Sequence, residues 1–139
     1  MNLIKNLAII WILFIFTACA DTIEFPVSDV TPAADITATI KKQGEPNYLV
    51  TIDANNLAAP GRLKNPKKLY VIWAVSESGI VRNVGHFKQE NAEKATYKAS
   101  FPYKPVEVFI TAENKEGNCV PDGVEISRAK LIKPKKEKK

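Results

Sequence analysis

One histidine, two cysteines and one methionine among 139 residues leave few donors from which a metal or redox centre could be assembled. A single histidine, His86, excludes any site with two histidine ligands, and it reads instead as a surface or edge residue of a predicted strand. Two cysteines exclude a multi-bridge disulfide framework. Cys119 sits between Asn118 and Val120 in a polar loop with no neighbouring cation to activate it, so it reads as an inert or partly covered thiol. The chain is also poor in nucleophile–base pairs and paired carboxylates. No catalytic residue is assigned, no cofactor or metal is expected, and the chain is not expected to be an enzyme. Long apolar runs are scarce too. The longest uninterrupted run, residues 7–16, falls short of the ~20 residues that span a bilayer but suits the apolar region of an export signal.

The residues on either side of that run sharpen the reading. Lys5 precedes it, and Phe16-Thr17-Ala18-Cys19 closes it with small residues leading into a cysteine. This tetrapeptide resembles the lipobox of bacterial lipoproteins, in which cleavage before the cysteine follows attachment of diacylglycerol to its sulfur. The resemblance implies that residues 1–18 are a signal peptide and that Cys19 is the lipidation site and the mature amino terminus, carrying palmitate-type acyl chains. It also implies a cell-envelope location facing away from the cytoplasm, with the outer membrane or cell surface favoured. Three rival readings are an uncleaved membrane anchor, a plain secretory signal cut near Ala18 or Ala20, and a Cys19–Cys119 disulfide.

Charge is unevenly distributed. The formal net charge is +5, yet residues 128–139 hold seven cations and one anion, whereas residues 19–127 hold twelve cations and fourteen anions. The domain is therefore mildly acidic, and the basic character belongs to its end. Lys133, Lys135, Lys136, Lys138 and Lys139 are the candidate partner-binding residues. An anionic lipid, an envelope protein or an anionic envelope polymer suits them better than nucleic acid, which an exported protein rarely meets.

Residues 20–34 contain Pro26 and Pro32 and no sustained periodicity, so residues 19–34 read as a flexible tether. From residue 36 the apolar positions alternate with period two. Residues 36–54 read as a hairpin turning near Gly44 and Pro46. Residues 55–68 carry Pro60, Gly61 and Pro66 and read as a crossing between sheets. Residues 69–76 are apolar on both faces and read as a central strand, with Trp73 as core anchor and Tyr70 in a second layer or on an aromatic surface with Tyr97 or Tyr103. Further strands are expected over 80–87, where Gly85 suggests a bulge or close backbone approach, and over 95–101, 106–113 and 124–132. About seven strands without an amphipathic helix predict an all-β, immunoglobulin-like two-sheet sandwich over residues 35–132, followed by a disordered basic tail over 133–139. An odd strand count would place the two chain ends at opposite poles, with the tail far from the lipid.

Tyr70-Val71-Ile72-Trp73, Gly79, Gly85-His86-Phe87, residues 108–113 and Pro121-Asp122-Gly123 together resemble the extracytoplasmic carboxy-terminal domain of anti-sigma-K-type factors. The resemblance covers roughly residues 69–126 and rests on structural positions. It implies a sandwich outside the cytoplasm and carries over no catalytic residues. Glu113, Glu116 and Asp122 lie close in sequence but do not match a calcium loop, and they read as a solvated acidic rim. The expected function is a lipid-anchored, noncatalytic binding or structural module of the envelope. The alternative is a sensory or regulatory module acting through a membrane-spanning partner.

Overall fold

The computed structural model describes residues 20–89 and 94–132. Nine strands succeed one another: β1 (Asp21–Glu24), β2 (Asp35–Lys42), β3 (Tyr48–Asn55), β4 (Leu69–Val75), β5 (Val81–His86), β6 (Lys88–Gln89), β7 (Lys94–Phe101), β8 (Glu107–Glu113) and β9 (Val124–Lys130). They form two antiparallel sheets, ordered β1-β2-β3-β7-β6 and β5-β4-β8-β9. Leaving β1 aside, this neighbour order is that of the immunoglobulin sandwich, with the A-B-E-D strands in one sheet and C-F-G, flanked by one further strand, in the other.

The alternating pattern does what period two requires. In β2 and β3, Ile36, Ala38, Ile40, Val50, Ile52 and Ala54 are buried and face Tyr70, Ile72, Ala74, Val108, Ile110 and Ala112 of the second sheet. The hairpin is regular from Asp35↔Asn55 to Lys42↔Tyr48. β4 lies between β5 and β8 and is covered on both sides, as its continuous apolar run predicts. Residues 56–68 carry the chain from one sheet to the other, held by the Tyr70 hydroxyl donating to Ala58 O at 2.6 Å.

Three expectations are corrected. Residues 20–34 are not a free tether. β1 pairs with β2 from Asp21↔Ile40 to Glu24↔Thr37, Phe25 is only 8% exposed, and Ser28, Thr31 and Ala34 are buried. Ser127 Oγ–H also donates to Pro26 O at 2.7 Å. A four-residue edge strand is too short to show sustained alternation, so its pairing with β2 is a tertiary fact.

The second correction concerns residues 80–87, where one stretch serves two sheets. β5 pairs with β4, then the chain turns at Phe87 and β6 pairs with β7. Gly85 makes the bend: its φ is +135°, the ladder shifts register beside it, and a side chain there would meet the Tyr97 ring at 3.0 Å. The nine strands therefore make eight passes along the sandwich, and an even number returns the chain to the pole where it began. Asp21 lies level with Ile40, near the end where Tyr48 pairs with Phe101. A short connection carries Phe101 to Glu107, which pairs with Lys130, and Leu131 N–H donates to Val106 O at 2.8 Å. Both chain ends leave by this same pole.

Third, the faces of β4 are exchanged. Tyr70 belongs to the core between the sheets, whereas Trp73, with Val71 and Phe109, forms a separate cluster on the outer face of the second sheet. Trp73 is nevertheless fully buried.

Candidate functional site: the clipped outer face of the second sheet

Directly opposed residues of an antiparallel ladder share a face. Across β5, β4, β8 and β9 the register aligns Asn83, Trp73, Phe109 and Arg128 in one outward-facing row. Trp73 and Phe109 stack with their planes 13° apart and centroids at 6.1 Å. The Arg128 guanidinium lies 3.9 Å over the Phe109 ring. Arg128 is fixed there by a two-pronged contact with Glu125, Nε to Oε1 at 3.0 Å and Nη2 to Oε2 at 2.8 Å, and by an ion pair with Glu107. The hydrogen bonds to Glu125, reinforced by Glu107, raise the guanidinium pKa further above its already high value.

At the other end of the row, the Asn83 amide donates to two carbonyls of the loop over residues 114–123, Glu116 O at 2.7 Å and Asn118 O at 3.0 Å. This contact clips the loop to β5. The second clip is Glu113, at the end of β8 and 1% exposed. Its carboxylate accepts from Thr111 Oγ1–H at 2.6 Å, from Asp122 N–H at 3.1 Å and from the Asn118 amide at 3.4 Å, with a further backbone hydrogen bond from Gly123. Thr111 Oγ1 in turn accepts the Trp73 Nε1–H at 2.8 Å. Burial pushes the Glu113 carboxyl upward, but the hydrogen bonds from Thr111, Gly123, Asp122 and Asn118 prevail and hold it below its ordinary value. Gly123 is required for this closure, because a Cβ there would lie 1.7 Å from Ala112 O.

Between β5 and the clipped loop lies an open cleft of about 550 Å³, with Ile80, Val81 and Arg82 on one side and Glu116, Asn118 and Cys119 on the other. β5 is an edge strand of its sheet, and Arg82, paired with the core-facing Ala74, projects from the face opposite to Asn83. His86 sits at the half-exposed edge with Nδ1 3.8 Å from Glu116 Oε2, in line with its sequence reading. Cys119 is an exposed free thiol. The acidic-rim reading holds for the exposed Glu116 and Asp122 but not for Glu113, which is an internal acceptor. Among the described residues, no group of three or more His, Cys, Asp or Glu side chains is placed to hold a metal ion.

Cys19 and the lysines Lys133, Lys135, Lys136, Lys138 and Lys139 lie outside the described residues. Asn83, Thr111, Asn118 and Arg128 carry no motif, and only the register reveals that they converge. The one available signal was the polar Thr111 and Glu113 inside an otherwise apolar strand. Comparison with protein-family models, curated proteins and solved structures finds no match to this chain.

Proposed function

We propose that this protein is a lipid-anchored component of the bacterial cell envelope, fixed to a membrane through Cys19, whose sandwich holds a partner protein at the cleft beside β5. The observation that carries the binding role is the loop over residues 114–123. A buried carboxylate and the Asn83 amide hold it over the second sheet, so the cleft is pre-formed and a partner meets it without ordering a loop. The polar groups there are engaged in shape, as Glu113 illustrates, and the exposed edge of β5 offers a partner strand its backbone groups. The lipid anchor rests on the Phe16-Thr17-Ala18-Cys19 sequence.

Two measurements test this. Mass spectrometry of the mature amino terminus should find a diacylglyceryl thioether on Cys19, and Cys19→Ser should abolish acyl labelling. An intact residue 18–19 bond or an unmodified Cys19 refutes the anchor. A photo-crosslinking residue replacing Val81 or Cys119 should capture one defined envelope protein, whereas one replacing Lys98, on the outer face of the first sheet, should not. Equal capture at all three positions refutes the cleft as the binding surface.

A further inference from the structure

The bend at Gly85 that hands the chain from the second sheet to the first also leaves an opening. β6 covers β7 only at Ala95 and Thr96, so among the described residues no strand flanks β7 over residues 97–101 on that side. β5 stays with the second sheet until His86. The sandwich is therefore open along one side, as a mouth of about 480 Å³ between β5 and β7. Small-ligand sites occupy about 300–1,000 Å³. The register says what faces into this one. On β7, Tyr97, Ala99 and Phe101 pair with Ile52, Val50 and Tyr48 and share the core face with them. Ala99 puts only a methyl group between the two rings, and it stays partly exposed although it points inward. The ends of this notch are fixed. Tyr97 O–H donates to Val84 O at 2.7 Å, and Phe101 meets Tyr103 edge to face with centroids 6.0 Å apart. On β5, Arg82 opposes the core-facing Ala74, so its side chain turns into the mouth and away from the clipped loop. Arg82 is exposed, and among the described residues it is the one charged side chain of the lining, which holds no carboxylate.

The mouth thus joins three kinds of surface: a cation without an anion, aromatic rings around a notch, and the bare edge of β7, where alternate residues turn backbone N–H and C=O groups outward. Each narrows the ligand. A flat aromatic acid would answer Arg82 and the rings, but it would strip water from the backbone groups of β7 and put nothing in its place. A neutral sugar would satisfy the edge and leave the guanidinium unpaired. An acidic sugar answers all three, with hydroxyls for the edge, a carbon face for the partly exposed Tyr103 ring, and a carboxylate for the planar fork of Arg82. We propose that the mouth between β5 and β7 is a binding site for an acidic saccharide, with Arg82 taking its carboxylate, Tyr103 its ring face and the notch at Ala99 its inserted edge. The proposal depends neither on the lipid anchor nor on the protein-binding cleft, which lies on the other face of β5.

The probes are trimers of galacturonate, mannuronate and guluronate, with neutral galactotriose as control. They are titrated into the chain beginning at Ala20, which contains every strand of the sandwich, with calorimetry for affinity and backbone amide NMR shifts for location. At least one acidic trimer should bind, galactotriose should bind far more weakly, and the shifts should gather at residues 82–84 and 97–103. Arg82→Gln should weaken binding at least about tenfold, the loss of a charge-assisted hydrogen bond, and Arg82→Lys should recover only part of it. Tyr103→Ala should cost about fivefold, whereas Tyr103→Phe keeps the ring and the affinity. Ala99→Leu, which fills the notch without altering charge, should abolish binding. The exposed Arg82 and the partly exposed Tyr103 can be replaced without opening the core, so these variants decide the matter even where Ala99→Leu fails to fold. No binding by any acidic trimer, equal binding of galactotriose, unchanged affinity in Arg82→Gln, or shifts confined to residues 116–119 overturns the proposal.

Discussion

Replacing Glu113 by glutamine tests whether a buried carboxylate, rather than the loop's own sequence, holds residues 114–123 over the second sheet. The carboxylate receives donors from Thr111, Asp122, Gly123 and Asn118. A hydrogen bond to a charged acceptor contributes about 1.5–3 kcal/mol, against about 1 kcal/mol for a neutral one. The amide keeps one acceptor oxygen for Thr111 and Asp122 but loses the charge, and its NH2 group meets donors where an acceptor stood. Weakening two or three bonds by about 1 kcal/mol each gives a loss of about 2–3 kcal/mol at neutral pH. Glu113→Ala, which leaves all four donors without the carboxylate, should cost more. Urea unfolding of the chain from Ala20 measures this, with Trp73, its single tryptophan, as reporter. The pH dependence discriminates further. Because the folded carboxyl is held below its unfolded value, its contribution is present above the ordinary glutamate range and is lost as pH falls through the folded value. The stability gap between wild type and Glu113→Gln should therefore be full near pH 7 and should shrink steadily below about pH 4.3. A gap under about 0.5 kcal/mol, or one that stays constant down to the acid unfolding limit, would refute the reasoning.

Three further outcomes are expected from the packing. Phe25→Ala should destabilise the domain by about 3 kcal/mol in denaturant unfolding, as for a buried aromatic, and an effect near zero would restore the tether reading. Gly123→Ala forces apart backbone that already touches Ala112, so it should cost about 2–3 kcal/mol and speed hydrogen exchange at Asp122; wild-type exchange there would count against the clip. Arg128→Lys keeps the charge but loses the two-pronged contact with Glu125 and the flat stacking on Phe109. Since the side chain is partly exposed, a loss of only about 0.5–1 kcal/mol is expected, largely persisting in high salt.

The strands most legible in the sequence were those whose burial is regular. The hairpin of β2 and β3, the apolar β4, and the alternation in β7 and β8 each announce a face that must leave water. Gly85 was legible as a backbone irregularity, although its consequence, a strand shared between two sheets, was not. Trp73 and Tyr70 show where such reading stops. Period two places them on opposite faces, but which face turns toward the other sheet depends on what covers each one. Here the loop over residues 114–123, distant in sequence and tied by Asn83 and Glu113, makes the outer face dry enough for tryptophan.

By itself the sequence determined the all-β class, the sheet crossing over residues 55–68, and the uneven placement of charge, because each depends on local periodicity or on simple count. It also supplied the Phe16-to-Cys19 pattern on which the anchor proposal rests. The tertiary structure alone decided that β1 belongs to the fold, that Arg128, Phe109, Trp73 and Asn83 form one row, and that both ends of the chain leave by one pole. These are matters of pairing between distant segments, set by register and by the number of passes, and a one-strand difference in that number reverses the answer.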